Sequence, residues 1–158
     1  MIHFLFACYG GGWEKFDTFR TGPNATAAQI ADAASLSRLP QAMLAHPKGG
    51  ALAVLSHTDR AWSYSFTTDQ NRTQCDGIRD VLTGILMGLP IGHATDQFNV
   101  RWSAISTELA DALRDVKDGK ITRLDLARKW IMRDDARNYS IIGDPAVRLR
   151  TDEMVDGI

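Results

Sequence analysis

The residues with the clearest chemical potential are a cysteine and the glycines just after it. In the stretch FLFACYGGG, residues 4–12, an apolar run ends at Cys8 and opens into Gly10, Gly11 and Gly12. A thiolate is a nucleophile, and glycines allow a substrate backbone to approach and leave amide N–H groups for an oxyanion. The pattern predicts either a catalytic Cys8 with Gly10 and Gly11 as oxyanion donors, or a buried core thiol, the commoner role of a cysteine that ends a strand.

A nucleophilic thiol needs a base, and the chain has four histidines. His57 ends the apolar run ALAVLSH, residues 51–57. If this run is a strand parallel to the first one, His57 and Cys8 reach the same edge of the sheet. An in-chain Cys8–His57 dyad is one interpretation, and a capping or hydrogen-bonding histidine is the other. Cys75, on an amphipathic segment without a partner, is interpreted as structural.

Two short apolar runs and several periodic segments must position these residues. Residues 2–8 and 51–57 predict strands buried on both faces of a parallel sheet. Between them, 26–46 has helical spacing that Pro40 interrupts, which predicts two helical pieces or a kink. Further predicted elements are helices at 72–88, 92–117 and 122–134, the last with Thr122 as its N-cap, and a closing strand at 139–149 with an Asp-Pro turn.

The composition favours one soluble domain. The chain has 158 residues, 44% of them hydrophobic, and a formal net charge of −1. This balance gives no electrostatic reason to expect nucleic acid or a membrane as a partner. Two cysteines do not form a disulfide scaffold in a chain of this length, and the histidines lack zinc-site spacing. We therefore expect a reduced, cytoplasmic protein with no metal or organic cofactor.

Three segments, in order along the chain, resemble one peptidase family. They are FLFACYGGG, LPQAMLAHPKGGALAVLSHTDRAWSYSF and NYSIIGDPAVRL, and they resemble the caspase-like cysteine peptidase domains of the gingipain (peptidase C25) type. The resemblance implies an α/β fold: three layers around a mostly parallel sheet, with a helix-rich C-terminal half. It also implies that Cys8, at the end of a strand, matches the nucleophile and that the substrate is a peptide or protein. Asp144 and Pro145 are expected to form a structural turn.

One feature of that family has no match. Its catalytic histidine, normally followed by glycine, precedes the cysteine strand, whereas the histidines here are followed by Phe4, Pro47, Thr58 and Ala94. Residues 1–158 are therefore expected to form a single partial domain, the C-terminal half, that is inactive alone. An exposed strand 2–8 would pair with a complementing chain or form a homodimer. The alternative is a non-catalytic protein-interaction module.

Long predicted loops, 9–24 and 58–71, follow the two strands, and loops of this length are commonly functional. By resemblance, Trp62 and Tyr64 belong to the segment that lines a specificity pocket. Asp59 would give such a pocket a preference for basic side chains. The alternatives are a surface ion pair between Asp59 and the neighbouring arginine, and a core position for Trp62.

Overall fold

The chain folds as a mixed α/β structure, which the computed structural model describes for residues 1–19, 24–67 and 72–151. Residues 20–23 and 68–71 of the two predicted loops lie outside this range. The strands are β1 (Ile2–Leu5), β2 (Gly12–Trp13), β3 (Ser35–Leu36), β4 (Ala53–His57) and β5 (Tyr139–Gly143). The α-helices are α1 (Arg38–Leu44), α2 (Asp76–Leu86), α3 (Ile91–Ala94), α4 (Asp96–Lys117) and α5 (Arg123–Arg137), and a 3-10 turn covers Ser63–Ser65.

The main sheet has three strands in the order β1-β4-β5. β1 runs parallel to β4, with Ile2 opposite Ala53 and Leu5 opposite Ser56, which confirms the predicted pairing of the two apolar runs. β5 pairs antiparallel with the other side of β4. Every residue of β4 is buried, whereas β1 is only half-buried. β4 is thus the central strand, and the expectation that the first strand is buried on both faces is wrong, because β1 lies at an edge of the described sheet.

The first and last strands are shorter than the predicted 2–8 and 139–149. After β1, the N–H of Ala7 donates to the Leu5 carbonyl at 3.2 Å and begins a turn. β5 ends at Gly143, whose φ of 128° suits glycine alone. The Asp144 carboxylate then accepts the Ala146 N–H at 2.8 Å. The predicted Asp-Pro turn is confirmed, and it stops the strand.

The predicted helix over 26–46 is wrong in its first half. Helix is confined to α1, and the residues before it include β3, which pairs antiparallel with β2. The N–H of Ser37 donates to the Gly11 carbonyl at 3.0 Å, so this stretch is bound to the glycine loop. Pro40 lies in the first turn of α1, where no N–H is needed. The proline therefore helps to start the helix and does not kink it.

The later helices lie close to their predicted ranges. Thr122 caps α5 as expected: its hydroxyl accepts the Asp125 N–H at 3.1 Å, and the Asp125 carboxylate accepts the Thr122 N–H at 3.2 Å. The predicted helix 92–117 is divided at Thr95, whose hydroxyl donates to the Ile91 carbonyl at 2.8 Å. Such back-bonding offers the backbone an alternative to the regular helical ladder.

The core lies between the sheet and the helices after it. Ala53 and Leu55 of β4 join a buried cluster with side chains of α2, α3 and α4: Ile78, Val81, Ile85, Ile91, Ala94 and Phe98. Side chains alternate along a strand, so Val54 and Ser56 face the other side of the sheet. α1 packs against β4 and β5. In the part of the chain that the structure describes, no helix has the length and apolarity needed to cross a membrane.

Candidate active site

Cys8 lies just after β1 with an exposed side chain. Its thiol donates toward the carbonyl oxygen of Ala61, which is 3.6 Å from Sγ. Ala61 belongs to the segment that follows β4, and the carboxyl ends of the parallel strands β1 and β4 meet at one edge of the sheet. The structure therefore presents Cys8 as an accessible thiol at the predicted edge, not as a core residue.

The backbone that follows Cys8 is held in place by hydrogen bonds. The N–H of Gly10 donates to the Ala7 carbonyl at 3.0 Å, and the N–H of Gly11 donates to the His57 carbonyl at 2.7 Å. Both amides predicted to hold an oxyanion are therefore in use, which corrects the expectation that they are free. The physical reason is that the loop crosses the end of β4 closely, and buried backbone groups need partners.

The glycines are required by this close crossing. A Cβ added to Gly10 would lie 2.6 Å from the Ser56 hydroxyl oxygen, and one added to Gly12 would lie 2.6 Å from the Ser35 carbonyl oxygen. Both distances are shorter than side-chain carbons tolerate. Tyr9, between the thiol and the glycines, has a φ of 56°, in the left-handed region that few non-glycine residues adopt. The glycine run thus serves packing against β3 and β4.

His57 ends β4 with a fully buried side chain. Its ring meets Phe6 edge-on at 5.4 Å between centroids and lies 4.0 Å from the ring of Tyr139. Nε2 is 3.5 Å from Oδ1 of Asp135, but neither ring nitrogen makes a hydrogen bond with a described residue. His57 and Cys8 are therefore not hydrogen-bonded in this structure.

A buried polar network surrounds His57. The Asp135 carboxylate, near the end of α5, accepts the Trp62 N–H at 2.7 Å and the Ser65 hydroxyl at 2.6 Å. The Ser65 hydroxyl also lies 2.6 Å from the hydroxyl of Tyr139. Burial, as the largest cause, raises the pKa of Tyr139 well above its usual value. This network fixes the segment after β4 to α5 and β5.

The other histidines and the second cysteine lie on separate elements. His3 is in β1 beside an apolar cavity of about 220 Å³. His46 follows α1, and His93 belongs to α3; both are exposed. Cys75 is exposed directly before α2, which corrects its interpretation as a structural residue on a helix. In the described ranges, no three His, Cys, Asp or Glu side chains cluster as a metal site would require.

A groove of about 1,080 Å³ is lined by Asp59, Arg60 and Trp62, in the segment that contacts the thiol-bearing turn, residues 7–10. Its walls come from residues 16–19, from the segment after β4 and from one face of α5. Asp59 and Trp62 line it, as the specificity interpretation requires. Tyr64 is held elsewhere, because its carbonyl accepts a hydrogen bond from the Arg101 guanidinium of α4. The structure thus brings two of the three predicted substrate-binding residues to one groove.

An ion pair forms one wall of this groove. Both carboxylate oxygens of Asp17 accept from the Arg60 guanidinium, one at 2.6 Å. The hydrogen bond from Arg60 is the main reason that the pKa of Asp17 lies below its usual value. The guanidinium also lies 5.4 Å from the ring centroid of Phe19, which packs 5.7 Å from the ring of Trp62.

Asp59 makes different contacts from those expected. Its side chain accepts the Thr18 hydroxyl and, at 2.7 Å, the N–H of Arg60. Its own carbonyl accepts the Tyr9 N–H at 2.8 Å. The proposed Asp59–Arg60 surface ion pair is therefore wrong, since Arg60 pairs with Asp17. Asp59 is buried and ties the thiol-bearing turn to the groove wall.

Sequence reasoning missed Asp17 and Asp135, which organise the site. No local pattern marks Asp17, whose partner Arg60 lies 43 residues away in the chain. Asp135 does carry a signal. An acidic residue in the last turn of a helix opposes the helix dipole, and Asp135 lies there in α5. In this structure the hydrogen bonds that Asp135 accepts from the segment after β4 offset that unfavourable position.

Comparison with known protein families gives a match over most of the chain. The model of peptidase family C25 matches residues 16–150, a range that includes the groove and the closing strand and begins after the thiol-bearing turn. No curated protein and no solved structure matches the chain. Since the matched range spans most of the 158 residues, the chain belongs to peptidase family C25, the gingipain-type cysteine peptidases.

Proposed function

We propose that Cys8 is the nucleophile of a gingipain-type endopeptidase site and that a peptide substrate lies in the adjoining groove. The observation that carries this proposal is the contact of the exposed Cys8 Sγ with the Ala61 carbonyl, 3.6 Å away. Ala61 stands between Arg60 and Trp62, whose side chains line the groove. A peptide bound there passes the thiol.

The proposed chemistry is acyl transfer. The thiolate attacks the scissile carbonyl carbon, forming a C–S bond while the carbonyl electron pair moves to oxygen. The C–N bond then breaks, and an imidazolium gives its proton to the departing amine. Water hydrolyses the thioester and restores the thiol. The N–H of Cys8 is the proposed oxyanion donor; an amide of Gly10 or Gly11 joins it only if the turn exchanges its present hydrogen bonds.

The imidazole for this reaction is proposed to come from outside the described residues. His57 is enclosed by Phe6 and Tyr139, and His3, His46 and His93 lie on other elements. In the family it resembles, the histidine precedes the cysteine strand. We therefore expect this chain alone to cleave no peptide. Loss of the general acid–base group typically costs about 10²–10⁴ in rate.

The fold of the whole site is proposed to be caspase-like, with helices on both faces of the sheet. The support is that α1 packs against β4 and β5, whereas α2 and α3 share a core with Ala53 and Leu55. A caspase-like sheet continues beyond its cysteine strand, so the outer edge of β1 is where the remaining strands would pair.

Two other functions remain as alternatives. A non-catalytic interaction module is favoured by β1, whose outer edge offers unpaired backbone groups in the described sheet. A Cys8–His57 dyad would require the buried ring of His57 to leave Tyr139 and turn toward the thiol. The dyad has the weaker support.

The test compares labelling with turnover on the full chain. A peptidyl chloromethyl ketone should alkylate Cys8 faster than Cys75, whereas iodoacetamide, which is too small to use the groove, should discriminate less between these exposed thiols. Mass spectrometry of the labelled peptides gives both rates from one sample. Equal peptidyl labelling of the two cysteines would contradict the proposal.

A fluorogenic peptide panel with Arg, Lys or Asp at the cleaved position tests activity. No turnover above that of Cys8→Ala is expected. Turnover by the unmodified chain that disappears in Cys8→Ala would contradict the expected inactivity. If His57→Ala also abolished this turnover, the Cys8–His57 dyad would be favoured. Cys75→Ala serves as the control, because Cys75 lies next to α2 and does not line the groove.

A further inference from the structure

The carboxylates that line the groove are all engaged by neighbouring groups. Asp134 belongs to this set, since Arg133 donates to it at 2.9 Å. Burial is the main cause that raises the pKa of Asp134, and the charges of Arg137 and Arg133 oppose that shift. The engaged pairs are Asp17 with Arg60, Asp59 with Thr18 and the Arg60 N–H, and Asp134 with Arg133.

Two lining arginines differ from these pairs. Arg123 and Arg137, the first and last residues of α5, are exposed and line the groove. Neither makes a hydrogen bond or an ion pair with a described residue. Arg137 also lines a second cavity of about 500 Å³, whose other charged lining residues are Glu14, Lys15 and Asp59. Among the described residues that line the groove, the charged side chains without a hydrogen bond or an ion pair are therefore these two arginines, although the charge of Arg137 also acts on Asp134.

The wall between the two arginines suits a polypeptide. Trp62 and Trp130 line the groove and offer apolar area with a polar N–H group. The first and last residues of α5 are fourteen positions apart in the chain, which at a rise of 1.5 Å per residue is about 21 Å. An extended peptide rises about 3.3 Å per residue, so six residues span this distance. A guanidinium binds a carboxylate with two parallel hydrogen bonds.

We propose, on the basis of the function proposed above, that the groove takes an extended acidic peptide. One carboxylate side chain binds Arg137, and a second, six residues along the peptide, binds Arg123. This substrate class is the opposite of the basic preference expected from Asp59. The difference arises because the carboxylate of Asp59 is occupied by Thr18 and the N–H of Arg60.

The test measures binding to the full Cys8→Ala chain by isothermal titration calorimetry. The probes are ten-residue peptides, acetylated and amidated, that carry two Glu, two Gln or two Lys residues six positions apart. A fourth peptide carries two Glu residues two positions apart. A fifth is the Gln peptide with a free C-terminal carboxylate, which separates side-chain recognition from terminal recognition.

The widely spaced Glu peptide is expected to bind best, with an affinity about tenfold above that of the Gln peptide, because charge-assisted hydrogen bonds are stronger than neutral ones. Arg137→Gln and Arg123→Gln should each remove most of this advantage. Arg128→Gln is the matched control, since Arg128 lies on α5 outside the groove and faces Asp125 at 3.7 Å.

Equal binding of the Glu and Gln peptides, or better binding of the Lys peptide, would overturn the inference. Equal affinities of the two Glu peptides would overturn the inference that one carboxylate binds Arg137 and a second binds Arg123. Tight binding of the peptide with the free C-terminal carboxylate would show that the groove recognises a chain terminus and not acidic side chains. Cys8→Ala removes the nucleophile from the measurement. Acidic-peptide binding without selective labelling of Cys8 would therefore contradict the proposed function alone, and selective labelling without acidic-peptide binding would contradict this inference alone.

Discussion

Nε2 of His57 lies 3.5 Å from Oδ1 of Asp135, and both side chains are completely buried. That oxygen accepts the Trp62 N–H at 2.7 Å, whereas neither ring nitrogen of His57 makes a hydrogen bond with a described residue. The pair is thus a packing contact beside a hydrogen-bonded carboxylate. Its consequence is structural: Asp135 holds the groove wall, and His57 fills the space behind it.

Asp135→Ala should lower the free energy of unfolding by about 2–4 kcal/mol, because it leaves the Trp62 N–H and the Ser65 hydroxyl without their acceptor. Asp135→Asn keeps one carbonyl acceptor and should cost less. Urea unfolding measures both. Asp111→Ala, which removes an exposed carboxylate on α4, is the control and should change stability little. Equal losses for all three variants would contradict the network.

Gly10→Ala should destabilise the fold by about 1–3 kcal/mol, because the added carbon meets the Ser56 hydroxyl. Adding Ser56→Ala removes that oxygen and should recover part of the loss. Gly77→Ala is the matched control: nothing lies within 4 Å of its Cβ position, and Gly77 is in α2. It should stabilise by about 0.5–1 kcal/mol. Equal midpoints of thermal unfolding for Gly10→Ala and Gly77→Ala would contradict the close approach of the glycine loop to β4.

The Asp17–Arg60 pair should make stability depend on pH. Because the pKa of Asp17 is lower in the folded chain than in the unfolded chain, the pair stabilises the fold above the ordinary carboxyl pKa. This stability is lost as pH falls through the lowered value. Asp17→Asn should therefore cost about 1–3 kcal/mol at pH 7 and progressively less below about pH 4. Asp76→Asn breaks an exposed pair and should show no such trend in pH-resolved urea unfolding.

The outer edge of β1 should promote self-association, because an unpaired strand edge is a template for another strand. His3→Lys places a charge in that strand and should raise the monomer fraction in size-exclusion chromatography with light scattering. His46→Lys, on an exposed residue after α1, is the control and should leave the distribution unchanged. A compact monomer of the unmodified chain at high concentration would contradict this prediction.

The central part of the fold could be predicted because its signals are local. The uninterrupted apolar run of β4, the spacing of Ile78, Val81 and Ile85, and the Thr122 cap each identify an element within a few residues. The prediction of a helix over 26–46 was wrong in its first half. The apolar spacing there matched a helix, whereas hydrogen bonds to the glycine loop determine the structure. A contact between Ser37 and Gly11 leaves no trace in the local pattern.

The candidate site could be predicted only in part, for a related reason. Cys8 was singled out because it ends an apolar run before three glycines, and the family resemblance supported its interpretation as the nucleophile. The same resemblance placed Trp62 in the segment that lines a pocket, with Asp59 as a candidate for its specificity. The partners that determine what these groups do come from distant segments: Asp17 for Arg60, and Asp135 for the N–H of Trp62. Charge pairing across such separations cannot be read from spacing.

The attachment of Ser65 to Asp135 joins residues 70 positions apart in the chain. During synthesis at about 5–20 residues per second, this partner emerges roughly 4–14 seconds after the serine. The thiol-bearing turn, β4 and the Asp17–Arg60 pair are therefore made early, but the contacts of the segment after β4 with Asp135 form only when α5 has left the ribosome. On a growing polypeptide the thiol therefore exists before α5 completes the groove.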